Sequence, residues 1–141
     1  MNILQKTISL KQQPRGFHII TQEILQKVPE IRTISKGICT LFLLHTSASL
    51  SINENADSTV RTDMEQFFNR TVEENPSLYQ HTFEGLDDMT SHIKSSLLGV
   101  SITIPITNGT FALGRWQGIY LCEHRNQASS RSMTVTILGS D

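Results

Sequence analysis

Apolar and polar residues alternate along "NILQKTISL". Leu4, Lys6, Ile8 and Leu10 fall on one side and Gln5, Thr7 and Ser9 on the other, the period of a half-buried strand. "KQQPRG" is a turn, punctuated by Pro and Gly. "TQEILQKVPE" predicts a short helix, capped by Thr21 and stopped by Pro29. "KGICTLFLLHTS" is a continuous β-prone run, the pattern of a strand covered on both faces, and "ASLSINEN" alternates again. Val60, Met64, Phe67, Phe68 and Val72 then recur at helical spacing, with Asn55 or Asp57 as cap. After the irregular "NPSLYQHTFEG", the segment "DDMTSHIKSSLLG" predicts a helix with carboxylates at its positive end and Gly99 as its stop. "VSITIPI" is a strand and "TNG" a hairpin turn. "TFALGRWQGIYLCEHR" and "SMTVTILG" are two further strands joined by "NQASS". Strands outnumber helices and many are sequence neighbours. The expected fold is α+β: one compact domain over residues 1–141, mainly antiparallel sheet and sandwich-like, with two to three helices.

Composition narrows the function classes. A chain of 141 residues, 38% hydrophobic and 18% charged, can build one real core. The net charge of −1, with no block of like charges, gives no basic face for nucleic acid. No apolar run approaches a bilayer span, since Ile38 to Leu44 is short and interrupted by Thr40. The opening residues lack the basic start and long apolar middle of a signal peptide, so the cytoplasm is the expected location. Cys39 and Cys122 lie in apolar runs, which suits buried free thiols.

Candidate chemistry collects at element boundaries. His45 ends the long apolar run, His81 lies in the irregular segment, and His92 stands near a helix start. Asp88 and His92 are four apart, so a helix puts carboxylate and imidazole on one face. That pair suits metal ligation or orientation of one group by the other, although helix starts favour Asp in any case. Asn55 and Asp57 are natural turn residues, whereas Asn53 and Glu54 fit a turn less well. "GRWQG" places Trp116 and Gln117 between glycines, where Trp116 can stack on a flat ring or plug a core edge. Gln117, Ile119, Leu121 and Glu123 share one strand face, so Gln117 and Glu123 are expected to share a pocket wall. Arg125 and Arg131 bracket the last turn with Ser129 and Ser130 and can hold a phosphate, though for Arg125 a solvated hairpin is the stronger reading. No phosphate loop, dinucleotide fingerprint, HExxH, nucleophile elbow or zinc-finger spacing occurs.

The blocks "RGFHIITQEI", "LLHTSASLSINENAD", "DDMTSHIKSSLLG" and "LGRWQGIYLCEHR" occur in that order. Together they closely resemble the YjbQ-like family, also called the secondary thiamine-phosphate synthase family, over nearly the whole chain. The resemblance implies a trimer with a cleft where the motif residues meet. It implies an enzyme joining a pyrimidine diphosphate to a thiazole phosphate, releasing pyrophosphate. On that reading His45, His81, Asp88 and His92 hold a divalent metal, Zn or Mg. Asn53, Glu54, Gln117 and Glu123 act as catalytic groups. Thr46, Ser47, Lys94, Trp116 and Arg131 bind a small phosphorylated substrate. Thr90 and Arg115 depart from residues common in relatives, and "RNQASSR" lacks the glycines usual there. Two alternatives stand beside it: a non-catalytic binding module for a phosphorylated metabolite or metal, and a metal-dependent hydrolase with Glu54 as base.

Overall fold

Strands that bury one face need a partner for it, and this chain supplies two sheets. The structure, a computed structural model, describes residues 1–141. One antiparallel sheet has five strands in the order β1 (Asn2–Ser9), β8 (Ser132–Ser140), β3 (Lys36–Leu43), β5 (Ser101–Thr107) and β6 (Thr110–Phe111). The other has three, β2 (Gly16–Ile19), β7 (Gln117–Glu123) and β4 (Ala48–Glu54). Three α-helices accompany them: α1 (Thr21–Lys27), α2 (Ser58–Thr71) and α3 (Leu86–Leu98). This is the expected α+β sandwich.

The main core lies between the sheets. Leu41, Leu43, Ile104, Val135 and Ile137 from the larger sheet meet Leu50, Ile119 and Leu121 from the smaller. Ile24 of α1 joins them, with Val28 and Ile31 from the turn that follows. Each such side chain contributes about 1.5–3 kcal/mol when fully buried. A second cluster lies outside the smaller sheet, where Phe17, Tyr120 and Cys122 pack against Met64 and Phe68 of α2 and Leu98 of α3. The smaller sheet is therefore covered on both faces, and β7 is buried from Gly118 to Glu123. Both thiols are buried and free, and burial pushes each up to about 12.

Several sequence expectations are corrected by this packing. The strand covered on both faces is β7, not β3. In β3 burial alternates, and Ile38 and Phe42 remain 44% and 46% exposed. Thr21 does not cap α1, because its hydroxyl instead accepts from the Ile119 amide at 2.9 Å. "TFALGRWQGIYLCEHR" is not one strand. β6 pairs with β5 in the larger sheet, and β7 begins afresh in the smaller one. Asp57 does cap α2, accepting from the Thr59 amide at 2.9 Å, and Gly99 ends α3. At the "TNG" turn Asn108 and Gly109 have φ of 51° and 79°, as a two-residue hairpin requires. No helix is long and apolar enough to cross a membrane.

Candidate functional site

α3 fixes two donors by spacing alone. Asp88 and His92 are one turn apart, and the His92 Nε2 lies 3.2 Å from the Asp88 Oδ2. The segment between α2 and α3 brings the His81 Nε2 to 2.7 Å from the same oxygen. The imidazole rings are 5.5 Å apart, and the three donor atoms lie within 4.8 Å of one another. Asp88 is buried, while His92 is partly and His81 largely open to solvent. The His92 Nδ1 faces the Thr46 carbonyl at 2.8 Å. A carbonyl only accepts, so that nitrogen carries the proton. In the neutral ring the Nε2 lone pair then faces a carboxylate oxygen, an arrangement that calls for a cation or a second proton between them. Donors about 2.1 Å from a tetrahedral ion stand about 3.4 Å apart. The 3.2 Å from His92 to Asp88 is close to that edge, whereas the 2.7 Å from His81 to Asp88 is a direct hydrogen bond, so the loop histidine has to move aside to admit an ion.

The first turn of α3 is held from below by Arg125. Its Nε donates to the Asp87 Oδ2 at 3.0 Å, and its Nη1 to the Asp88 Oδ1. Its Nη2 donates to the Glu84 carbonyl at 2.9 Å. One guanidinium thus fixes the unused oxygen of Asp88 and turns Oδ2 toward the histidines. Burial opposes the charge on Asp87, but the Asn126 amide and Arg125 outweigh it and hold this carboxyl below its usual range. Gly85 opens the helix at φ 109°, a conformation that favours glycine.

A buried polar layer lies deeper, between α3 and the smaller sheet. His124 is 1% exposed and pairs with the Ser49 hydroxyl at 2.8 Å. Burial, then the charges of Lys94, Arg15 and Arg131, push its pKa down to about 3. Lys94 is also buried and donates to the Asn69 Oδ1 at 2.8 Å. Burial, seconded by Arg15, lowers its pKa.

The other expected site residues divide between the two ends of β7. Ala48 faces Glu123 at one end and Glu54 faces Gln117 at the other. At about 3.3 Å per residue these ends are on the order of 20 Å apart. Gln117 and Glu123 therefore share a strand face but no pocket wall. At the Glu123 end, Arg131 clamps Glu123 with bonds of 2.7 and 2.5 Å and donates to the Ser47 carbonyl at 3.2 Å. His45 lies at this end too, but outside the three-donor cluster. Its Nε2 accepts from the Ser132 amide at 2.8 Å. Burial, with help from Arg131 and against a pull from Glu123, lowers its pKa.

At the other end, Asn53 Oδ1 accepts from the Glu54 amide and Glu54 Oε2 from the Asp57 amide, 2.8 and 2.9 Å. Asn55 Nδ2 bonds the Arg115 and Gln117 carbonyls at 3.2 and 3.1 Å, and Gln117 Oε1 accepts from Gly114. These bonds clasp the loop before β7 to the end of β4. They leave Trp116 56% exposed under the Arg115 guanidinium, so it does not plug a core edge.

Sequence reading found all three donors of the cluster but undervalued Arg125, whose partners lie almost forty residues away. It gave no role to His124. The apolar run "IYLC" just before it could have pointed to it, since a histidine at the end of a buried strand needs a partner.

Comparison with known proteins places these residues in context. The family model described as "UPF0047 protein YjbQ-like" matches residues 6–140. UPF0047 protein YjbQ of Salmonella typhimurium is 52% identical over 135 residues, covering 96% of this chain and 97% of that protein. UPF0047 protein YugU of Bacillus subtilis is 38% identical over 119 residues, covering 84% and 87%. The crystal structure of a YbjQ-like protein of unknown function from Sulfolobus solfataricus P2 superposes with a TM-score of 0.85 at 26% identity, covering 99% of both chains. A conserved hypothetical protein from Thermus thermophilus gives 0.80 at 28% identity, covering 94% and 99%.

Proposed function

This chain belongs to the UPF0047 YjbQ-like family, and we propose that it is a metal-dependent enzyme whose divalent ion is held by His81, Asp88 and His92. The observation that carries this reading is the His92 tautomer. With its proton committed to Thr46, the other nitrogen presents a lone pair to the Asp88 carboxylate, and His81 joins on the same oxygen. Two imidazoles and one carboxylate suit Zn²⁺ better than Mg²⁺, which prefers oxygen ligands. Three protein ligands with an open side match the composition of catalytic rather than structural zinc sites. When bound, such an ion supplies Lewis acidity toward an oxygen of water or substrate. Arg125 keeps Asp88 oriented and compensates its neighbour Asp87. The Thr46 carbonyl keeps the His92 ring in register.

Among reactions, hydrolysis of a small molecule has the better support. Condensation of a pyrimidine diphosphate with a thiazole phosphate needs free cations for the phosphates. Here Lys94 is engaged with Asn69, Arg131 with Glu123, and Arg125 with Asp87 and Asp88. Glu54 lies at the far end of the smaller sheet from the ion site, so it is not the base within one chain. A homotrimer remains the proposed assembly, supported by the outer face of the larger sheet. Its rows Ile3–Leu138–Ile38–Pro105 and Gln5–Thr136–Thr40–Thr103 carry no charge.

The test is an activity screen of zinc-loaded and chelated protein. Amides, esters and the diphosphate–thiazole pair are offered to parent and His92→Ala. Turnover that requires both zinc and His92 supports the proposal. Equal turnover by chelated protein or by His92→Ala contradicts it, and saturable ligand binding without product favours a binding module.

A further inference from the structure

We infer that His45 is a fixed hydrogen-bond donor for the substrate rather than a metal ligand, and that the group it takes is a neutral carbonyl oxygen, as in an amide or ester. This rests on the metal reading above, because the cleft concerned shares His92 with the proposed ion site.

The argument starts from a backbone amide. The Ser132 N–H can only donate, and it meets the His45 Nε2 at 2.8 Å. That nitrogen must present its lone pair, so the ring proton resides on Nδ1. No protein group accepts from Nδ1, yet it is not among the buried polar atoms that lack a partner. Solvent therefore reaches it. The ring lines an open cleft of about 360 Å³ with Thr46, His92 and Ser96. The Thr46 and Ser96 hydroxyls and the Nδ1–H are donors held beside a strand end and on a helix, not on a mobile arm.

Charge decides the class of ligand. No Lys or Arg side chain lines the cleft. The last turn of α3 lines it at Ser96 and Gly99, which is the negative end of the helix. A phosphoryl group would meet that end with no Lys or Arg in the lining to offset it, leaving only the ion beside His92. A carbonyl oxygen needs only the donor that His45 offers, in a cleft whose wall includes His92.

The test uses the full chain labelled with ¹⁵N-histidine. At pH 7, the His45 Nδ1 resonance should be that of a protonated nitrogen and the Nε2 that of an unprotonated one, and acetohydroxamate should shift the former. In metal-free protein, where the hydroxamate has no ion to chelate, acetohydroxamate should bind more tightly than inorganic phosphate. His45→Leu should weaken it about tenfold, the loss of one hydrogen bond. His45→Asn, which restores an N–H at the Nδ1 position, should recover most of that loss. A proton on Nε2, an affinity unchanged in His45→Leu, or tighter binding of phosphate would overturn the inference. Failure of zinc to bind would sink the metal reading alone. The tautomer and the acetohydroxamate shift in metal-free protein would still decide the role of His45.

Discussion

Acidification from pH 8 to pH 4.5 should cost the fold about 2.7 kcal/mol through His124 alone. The folded protein holds this ring neutral down to about pH 3, whereas the ordinary value is 6.5. The unfolded chain therefore binds a proton at pH values where the folded chain does not, and stability falls as pH falls through that window. Each unit below 6.5 costs about 1.36 kcal/mol, and two units give the figure above. The carboxyls held below their usual range, Asp57 and Asp87 among them, lose their contribution only nearer pH 4 and below. His45 acts in the same direction as His124, so a variant is needed to separate them. Urea unfolding of parent and His124→Gln at both pH values, at one protein concentration, makes that comparison. Gln keeps a polar partner for Ser49 but cannot titrate. The parent should lose about 2.7 kcal/mol more than the variant across the interval. Equal losses would show that His124 is not held neutral, and the account of the buried layer beneath α3 would be wrong.

Two further outcomes follow from the same packing. Arg125→Ala removes the guanidinium from the Asp88 Oδ1 and from Asp87, leaving Asp88, whose side chain is 2% exposed, with only the two histidines on its other oxygen, while Arg125 itself keeps 23% exposure. The cost should be about 3 kcal/mol, the low end for breaking a buried ion pair by removing one partner, read by chemical denaturation. A loss under about 1 kcal/mol would mean that solvent already satisfies Asp88. Phe42→Asp puts a charge near one end of the middle strand, on the outer face of the larger sheet. If the proposed homotrimer forms through this face, the substitution should convert it to monomer in sedimentation, with an unchanged circular dichroism spectrum, whereas an unaltered assembly would place the interface elsewhere.

The fold was largely legible because period and punctuation are local properties. The alternation in β1, the helical spacing in α2 and the Asn-Gly turn each act within a few residues. Which faces are covered is not local. The apolar run of β3 implied burial on both sides, but β7, with polar residues at both ends, is the strand enclosed by a sheet and two helices. The site was legible in the same measure. Asp88 and His92 are one turn apart in sequence, and a helix leaves no choice about their proximity. His45 follows a strand end as expected, yet a backbone amide from β8 claims its Nε2. Asn53 and Glu54 end β4 opposite the start of β7 at Gln117, next to Trp116 in the chain, but that is the far end of the smaller sheet. No spacing rule relates that end to the histidines.

The most direct test of the central claim is calorimetric titration of Zn²⁺ into chelator-treated parent protein, beside His92→Ala and Asp88→Asn. The account predicts one ion per chain in the parent, with affinity lost in both variants. No binding by the parent, or binding undiminished by both substitutions, would contradict it.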